Sequence, residues 1–264
     1  MVDIKLKDVS IGYRGVTVVN GVSFGVKPGE VLGMVGPNGS GKSTIIKAIA
    51  GVLKPLSGEI EIDGREVSRI PRMELARMVG VVPQFSLLPF AFTAFEVVLM
   101  GRNPHLGLLQ HEGKADMSIA LDAMDKTSTR HLAGRRVGQL SGGEIQSVVI
   151  ARVLAQRTQA VLLDEPTANL DIGRQIEMLD LIKNLCRNEG LTVVVALHEL
   201  NLAAQYCDNM VLLLDKGRVC CQGKPGEVIN AENISRVYGP GSIVYNHPAN
   251  GLPVVLPMPT GKAG

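Results

Sequence analysis

Residues Gly36-Pro37-Asn38-Gly39-Ser40-Gly41-Lys42-Ser43-Thr44 have the spacing G-x-x-x-x-G-K-[ST], the pattern of a phosphate-binding P-loop. Glycines let the backbone turn its N–H groups around phosphate oxygens with no Cβ in the way. A helix starting at Lys42 adds unpaired donors and a partial positive charge. In this pattern Lys42 reaches the β- and γ-phosphates and the Ser43 hydroxyl sits on Mg²⁺. A second group is Ala160-Val161-Leu162-Leu163-Asp164-Glu165, an apolar run ending in two carboxylates. Asp164 can stand beside the metal of a nucleotide, and Glu165 can orient or deprotonate an attacking water. A third is Leu140-Ser141-Gly142-Gly143-Glu144, where Ser141 and Glu144 form a capping box and the glycines leave N–H groups uncovered. It reads as a second anion site at a helix N-terminus or, taken alone, as an ordinary capped helix. Tyr13 could stack on an adenine ring or be a half-buried strand tyrosine.

These groups need elements to position them. Val31–Val35 reads as a buried parallel strand and the stretch after Lys42 as an amphipathic helix stopped by Gly51. Residues 1–30 and 59–64 read as antiparallel strands with turns, Asp63-Gly64 being a hairpin turn. A short helix over about 71–78 leads to the buried strand 79–83, which ends on Gln84. From about 85 to 158 strand signals vanish and helices are expected at about 94–100, 114–126 and 144–156. Strands return at 160–164 and 192–197, separated by a helix over 172–189, and a helix over 200–206 precedes a hairpin around Asp215-Lys216-Gly217. The expectation is an α/β chain: a mixed sheet core with an antiparallel β edge and an all-helical insertion, spanning 1–240 with an extension over 241–264. Short helices are expected near Glu227 and over 233–238. Residues 239–264 show little periodicity and read as a surface extension or a mobile tail. In open parallel sheets ligands bind at the carboxyl ends of strands. Gly36, Gln84, Asp164 and His198 each follow directly on an expected strand, which makes them one site.

Bulk properties narrow the class. In 264 residues, 45% are apolar and only 3% aromatic, so Val, Ile, Leu and Met must fill the core. A formal charge of +2 offers no electrostatic case for nucleic acid or an anionic membrane. With no apolar run near 18 residues and no visible leader, any membrane contact is expected through a partner. Cys186, Cys207, Cys220 and Cys221 read as reduced packing thiols, with Cys220 and Cys221 on opposite faces of a strand. The five histidines show no ligand spacing.

Together the motifs resemble the ATP-binding subunit of an ATP-binding-cassette (ABC) transporter over about residues 3–240. In that family's order stand an aromatic (Tyr13), the Walker A loop (Gly36–Thr44), Gln84, the LSGGE signature (Leu140–Glu144), Walker B (Val161–Asp164) with Glu165, the loop Ala168-Asn169-Leu170-Asp171, and His198. The resemblance implies ATP hydrolysis with Mg²⁺ held by Ser43, Asp164 and Gln84. It implies a head-to-tail pair in which Ser141, Gly142 and Gly143 grip the γ-phosphate bound by the other copy. Asp171 would lie at the seam, Gln84 would report nucleotide state to a membrane subunit, and His198 would hold the γ-phosphate and order Glu165. Without the resemblance, His198 is a satisfied strand-end histidine and Gln84 a turn residue. The chain departs from the family pattern at Ile145 and Ser147, where basic residues are usual, so ATP binding should survive with altered contacts of the signature helix.

The run Thr93–His105, and the tail around Val237-Tyr238-Gly239 and His247-Pro248, are similar to the importer subfamily for iron chelates, haem, corrinoids and some oxyanions. That implies separate transmembrane permease subunits, a periplasmic or extracellular substrate-binding protein acting indirectly, and a peripheral position on the cytoplasmic face of the membrane. No added regulatory β-domain or fused membrane domain is expected. Leu and Phe residues over 85–105 are expected to form a docking groove for a membrane-subunit helix, or helical-subdomain core. A soluble ABC ATPase outside transport and a non-hydrolysing nucleotide-binding module are the competing classes.

Overall fold

The computed structural model describes residues 2–84, 88–107, 109–168 and 170–258. Strands β1 (Ile4–Tyr13) and β2 (Val16–Val26) are antiparallel, and their period-two pattern buries Ile4 and Leu6 while exposing Lys5 and Lys7. Strand β3 (Val31–Val35) is buried along its whole length and leads through the P-loop into helix α1 (Lys42–Ile49). Strands β4 (Ser57–Ile62) and β5 (Arg65–Glu66) turn at Asp63-Gly64 and complete a four-stranded antiparallel sheet, order β2-β1-β4-β5. Helix α2 (Arg72–Met78) then feeds β6 (Val79–Val82).

The helical insertion follows. Helix α3 (Ala94–Leu99) starts in a capping box between Thr93 and Glu96; α4 (Lys114–Lys126) and α5 (Gly142–Ala155) complete it. Among the described residues it pairs backbone as strand only at the single bridge Thr93–Arg136. Buried Arg102 fastens the turn over 100–105 to α4 and to the end of α5. Its guanidinium donates to Asp116 Oδ1 at 2.9 Å and to the Ala155 carbonyl at 2.8 Å. His105 Nε2 meets the Gln156 carbonyl at 2.8 Å. The Arg102–Asp116 pair holds that carboxyl below its ordinary range.

The chain then returns to the main sheet with β7 (Ala160–Asp164), α6 (Ile172–Glu189), β8 (Thr192–Ala196), α7 (Leu200–Tyr206), β9 (Asn209–Leu213) and β10 (Val219–Gly223). Its order is β10-β9-β3-β8-β7-β6, parallel except for β10. Alternate residues of each parallel strand serve two cores. Leu32, Met34, Leu162 and Val194 pack with Ile45, Ile46 and Ile49 of α1 and with the antiparallel sheet. Val31, Val35, Leu163 and Val195 pack with Met178, Leu179 and Ala203, and this second core runs on into Val97, Met124 and Val148 of the insertion. Burial on both faces is why these strands read as continuous apolar runs.

One expectation fails here, and the tail takes the surface-extension one of its two readings. The β10–β9 register shifts between Val219↔Leu213 and Cys221↔Leu212, a bulge that ends the alternation. Val219 therefore packs on the first core, whereas Cys220 and Cys221 both pack on the second. The tail is also ordered through residue 258. After α8 (Pro225–Val228) and α9 (Ala231–Tyr238), strands β11 (Ser242–Asn246) and β12 (Pro253–Pro257) form a hairpin lying on α7. The Asn201 side chain accepts from the Val255 N–H at 2.8 Å and donates to its carbonyl at 3.2 Å. Asn250 donates to Gln205 Oε1 at 2.7 Å. Side-chain amides here do what a neighbouring strand would do, while Val244 and Val255 pack on the second core. Residues 259–264 of the expected extension lie outside the described residues.

Replacing Asn201 with Ala strands both Val255 backbone groups and should cost about 1–2 kcal/mol. A lower midpoint in thermal unfolding, with faster proteolysis within 240–258, is the expected result; an unchanged midpoint and cleavage rate would mean the hairpin does not depend on this amide.

Candidate active site

The P-loop joins β3 to α1 through Gly41, whose φ of 90° is left-handed and where a Cβ would come within 2.6 Å of Val19 Cγ2. A side chain is excluded there twice, by conformation and by space. Lys42 is only 4% exposed, and its ammonium donates to the carbonyls of Gly36 at 2.8 Å and Pro37 at 3.1 Å. Burial lowers its pKa, while Glu165 and Asp164 oppose the shift. Ser40 Oγ is buried and finds no partner among the described residues. Helix α1 has no side-chain cap, so its first N–H groups face the loop.

Strand ends bring the other groups in. Asp164 closes β7, and its Oδ1 accepts the Ser43 hydroxyl at 2.8 Å. Burial raises the Asp164 carboxyl above its ordinary range; Ser43, Lys47 and Lys42 offset part of this and Glu165 adds to it. Glu165 follows with φ of 52°. A non-glycine residue held there is a strained feature that needs support. The support is visible: its N–H donates to the Ala196 carbonyl at 3.2 Å, Oε2 accepts the Gln84 amide, and Oε1 meets His198 Nε2 at 2.5 Å. Gln84, Glu165 and His198 thus form a hydrogen-bonded chain across the ends of β6, β7 and β8. With Asn38–Thr44 they line one cavity of about 360 Å³. Val18 of β2 lines it too; only its position across from Gly41 could have pointed to it, since no motif includes it.

Ser43 and Asp164 put two hard oxygen donors side by side, the donor type Mg²⁺ takes. The Gln84 amide can supply a third. The residues present therefore fit that ion.

Other expected site residues lie elsewhere on the chain. Tyr13 ends β1 at 40% exposure and does not line the cavity. Asp171 caps α6, accepting the Arg174 N–H at 3.0 Å; Asn169 of the same loop lies outside the described residues. Ser141 and Glu144 close the expected capping box at the head of α5. Nothing within 4 Å would meet a Cβ on Gly142, and only Leu170 Cδ2 at 3.7 Å would meet one on Gly143. Neither has a left-handed φ. The chain's own fold does not require these glycines, in contrast to Gly41. Of the departing residues, Ile145 packs on the second core and Ser147 donates to the Gly143 carbonyl at 3.1 Å.

A groove of about 670 Å³ lies between α2, the turn over 100–105 and α5, lined by Val52, Arg72, Leu75, Met100, Pro104 and Arg152 among others. At its edge Gly101 lets α5 approach, since a Cβ there would stand 2.1 Å from the Arg152 carbonyl. Of the expected docking stretch, Phe85, Ser86 and Leu87 lie outside the described residues. Phe90 is 75% exposed, Leu88 is buried, and residues 100–104 reach the groove.

The family model described as "ABC transporter" matches residues 19–168. Hemin import ATP-binding protein HmuV of Gloeobacter violaceus is 44% identical over 262 residues, covering 96% of this chain and 94% of its own. Ferric enterobactin transport ATP-binding protein FepC of Escherichia coli is 36% identical over 252 residues, covering 96% and 93%. A solved dimeric ATP-binding cassette in a post-hydrolysis state, bound to ADP and Pi, superposes with a TM-score of 0.74 at 32% identity, covering 84% of this chain and 98% of that one.

The raised Asp164 pKa has a definite sign in stability. The folded carboxyl holds a proton more tightly than the unfolded one, so the ionised form costs stability at neutral pH, and that cost disappears as pH falls through the raised value. Asp164→Asn should therefore raise the thermal midpoint of the nucleotide-free protein at neutral pH, with the gain shrinking on acidification. ATPase activity should fall by about 10²-fold or more. A variant less stable than the parent at every pH would contradict the burial argument.

Proposed function

The chain belongs to the ABC transporter family of ATP-hydrolysing cassettes, and on that premise we propose that it powers import of a metal chelate, of the iron-chelate, haem or corrinoid class. The observation that carries the catalytic reading is the Gln84–Glu165–His198 chain standing over the P-loop. The substrate class rests on the hemin and ferric enterobactin relatives and on the run Thr93–His105.

Two copies join head to tail around two ATP molecules. Lys42 and the N–H groups of residues 39–44 hold the β- and γ-phosphates, and Ser40 supplies a hydroxyl that has no other partner among the described residues. Tyr13 stacks against the adenine. Ser43, Asp164 and Gln84 would hold Mg²⁺, which when bound neutralises phosphate charge. Glu165 takes a proton from the attacking water as that water lines up on the γ-phosphorus. His198 keeps Glu165 aimed and contacts the γ-phosphate. Ser141, Gly142 and Gly143 of the second copy approach the same phosphate. The open space at Gly142, and the single 3.7 Å neighbour Leu170 Cδ2 at Gly143, leave room for that approach. Asp171 meets the seam between copies.

Loss of the phosphate removes the contacts that favour the closed pair, since ATP shifts the equilibrium only by binding that state better. Gln84 bonds Glu165 at one end and begins the stretch leading to the groove, so it is suited to carry nucleotide state there. The groove takes an apolar helix of a separate permease subunit. The chain then sits at the cytoplasmic face of the membrane, and among the described residues no helix is long and apolar enough to cross it. A substrate-binding protein outside delivers the cargo to the permease.

Glu165→Gln should cut ATP turnover by about 10²–10⁴-fold, keep ATP binding and trap a dimer seen by gel filtration; turnover at the parental rate would exclude Glu165 as the base. Separately, Val52→Asp at the groove rim should abolish co-purification with the permease while the isolated subunit keeps its ATPase rate. Normal co-purification would move docking away from the groove.

A further inference from the structure

The β10 bulge sets two thiols side by side. In a regular strand successive side chains point to opposite faces. Here the extra residue between Val219 and Cys221 turns both Cys220 and Cys221 toward the α8–α9 side of the sheet. Both are half-buried free thiols on adjacent residues of one strand. The other cysteines are unlike them. Cys207 is fully buried, which pushes its thiol up to about 12, and buried Cys186 donates to the Gly29 carbonyl at 3.0 Å. Strand β10 is an edge of its sheet, so one side of the pair's backbone is free of ladder bonds.

We propose that Cys220 and Cys221 form a dithiol site that chelates one thiophilic centre of the trivalent-arsenical class through both sulfurs. Among the described residues no cluster of three or more side chains could hold a metal ion, so an occupant must be satisfied by two sulfurs. A monosubstituted arsenous acid meets that requirement, because its third bond is to its own carbon. Two As–O bonds break and two As–S bonds form. Each thiol proton leaves on a hydroxide as water, and no electrons are transferred. Burial pushes the Cys221 thiol up to about 11, with Cys220 adding to the rise and Arg236 opposing it. A scarce thiolate disfavours oxidation to a disulfide, whereas condensation with an arsenous hydroxide consumes the neutral thiol. The site is independent of the nucleotide chemistry.

The test uses the reduced full chain and phenylarsine oxide as the probe. One adduct per chain is expected by intact mass, with Cys220 and Cys221 protected together from alkylation in peptide mapping. A dithiol such as 2,3-dimercaptopropanol should reverse it and an equal amount of 2-mercaptoethanol should not. Cys220→Ser or Cys221→Ser should each weaken uptake by about 10²-fold, the loss of an intramolecular second bond; Cys186→Ser with Cys207→Ser should leave it intact. No adduct at stoichiometric probe, protection of only one of the two thiols, or reversal by the monothiol would each overturn the proposal. The mapping on the parental chain decides the matter even if a serine variant fails to fold.

Discussion

Lys42 is a buried ammonium in a protein interior, and that single charge constrains everything around it. Removing an ammonium from water is costly unless donors and counter-charges surround it. Here two P-loop carbonyls accept its protons, and Asp164 and Glu165 supply opposite charge from the end of β7. Asp164 carries its own burial cost, visible in its raised pKa. Each carboxylate is held by a further partner: Ser43 on Asp164, Gln84 and His198 on Glu165. The site is a small network in which each charge justifies the next. A polyphosphate entering it must exchange these bonds for its own, so specificity for a polyanion is built into the pairing.

The parallel sheet makes the network possible. Strands β6, β7, β8 and β3 are hydrogen-bonded in register, so their carboxyl ends finish at one level. Each strand is dry on both faces, and the first polar residue after each meets water only at that end. Gln84, Glu165 and His198 lie far apart along the chain but adjacent across the sheet. The strained φ of Glu165 is bearable for the same reason: three hydrogen bonds from the ends of β6 and β8 hold it.

The helical insertion answers a different demand. It carries residues 141–143 on α5, away from the P-loop of its own chain. Arg102 and His105, within a run read from the sequence as an importer signature, act in the fold as fasteners between the turn over 100–105 and the C-terminal end of α5. Their placement beside the groove means that a force applied there would reach the signature helix through hydrogen bonds rather than through a loose joint. This connects the surface suited to a membrane partner with the surface suited to a second copy.

The P-loop, the parallel sheet implied by alternating elements, the capping box at Ser141 and the strand-end carboxylates were legible in the residues themselves, because each rests on local chemistry: a glycine where φ is positive, a cap where N–H groups are exposed, an apolar run where both faces are buried. Helices α4, α6 and α7 begin and end where periodicity places them. What the sequence could not carry is whatever depends on a partner distant along the chain. The Gln84–Glu165–His198 contacts and the buried state of Lys42 exist only once the sheet has aligned its ends. The docking of the tail hairpin depends on Asn201 bonding both Val255 backbone groups, 54 residues away, and the paired faces of Cys220 and Cys221 on a one-residue register shift set by β9. Local propensity determined the elements and their order; hydrogen-bond register between remote strands decided which side chains meet.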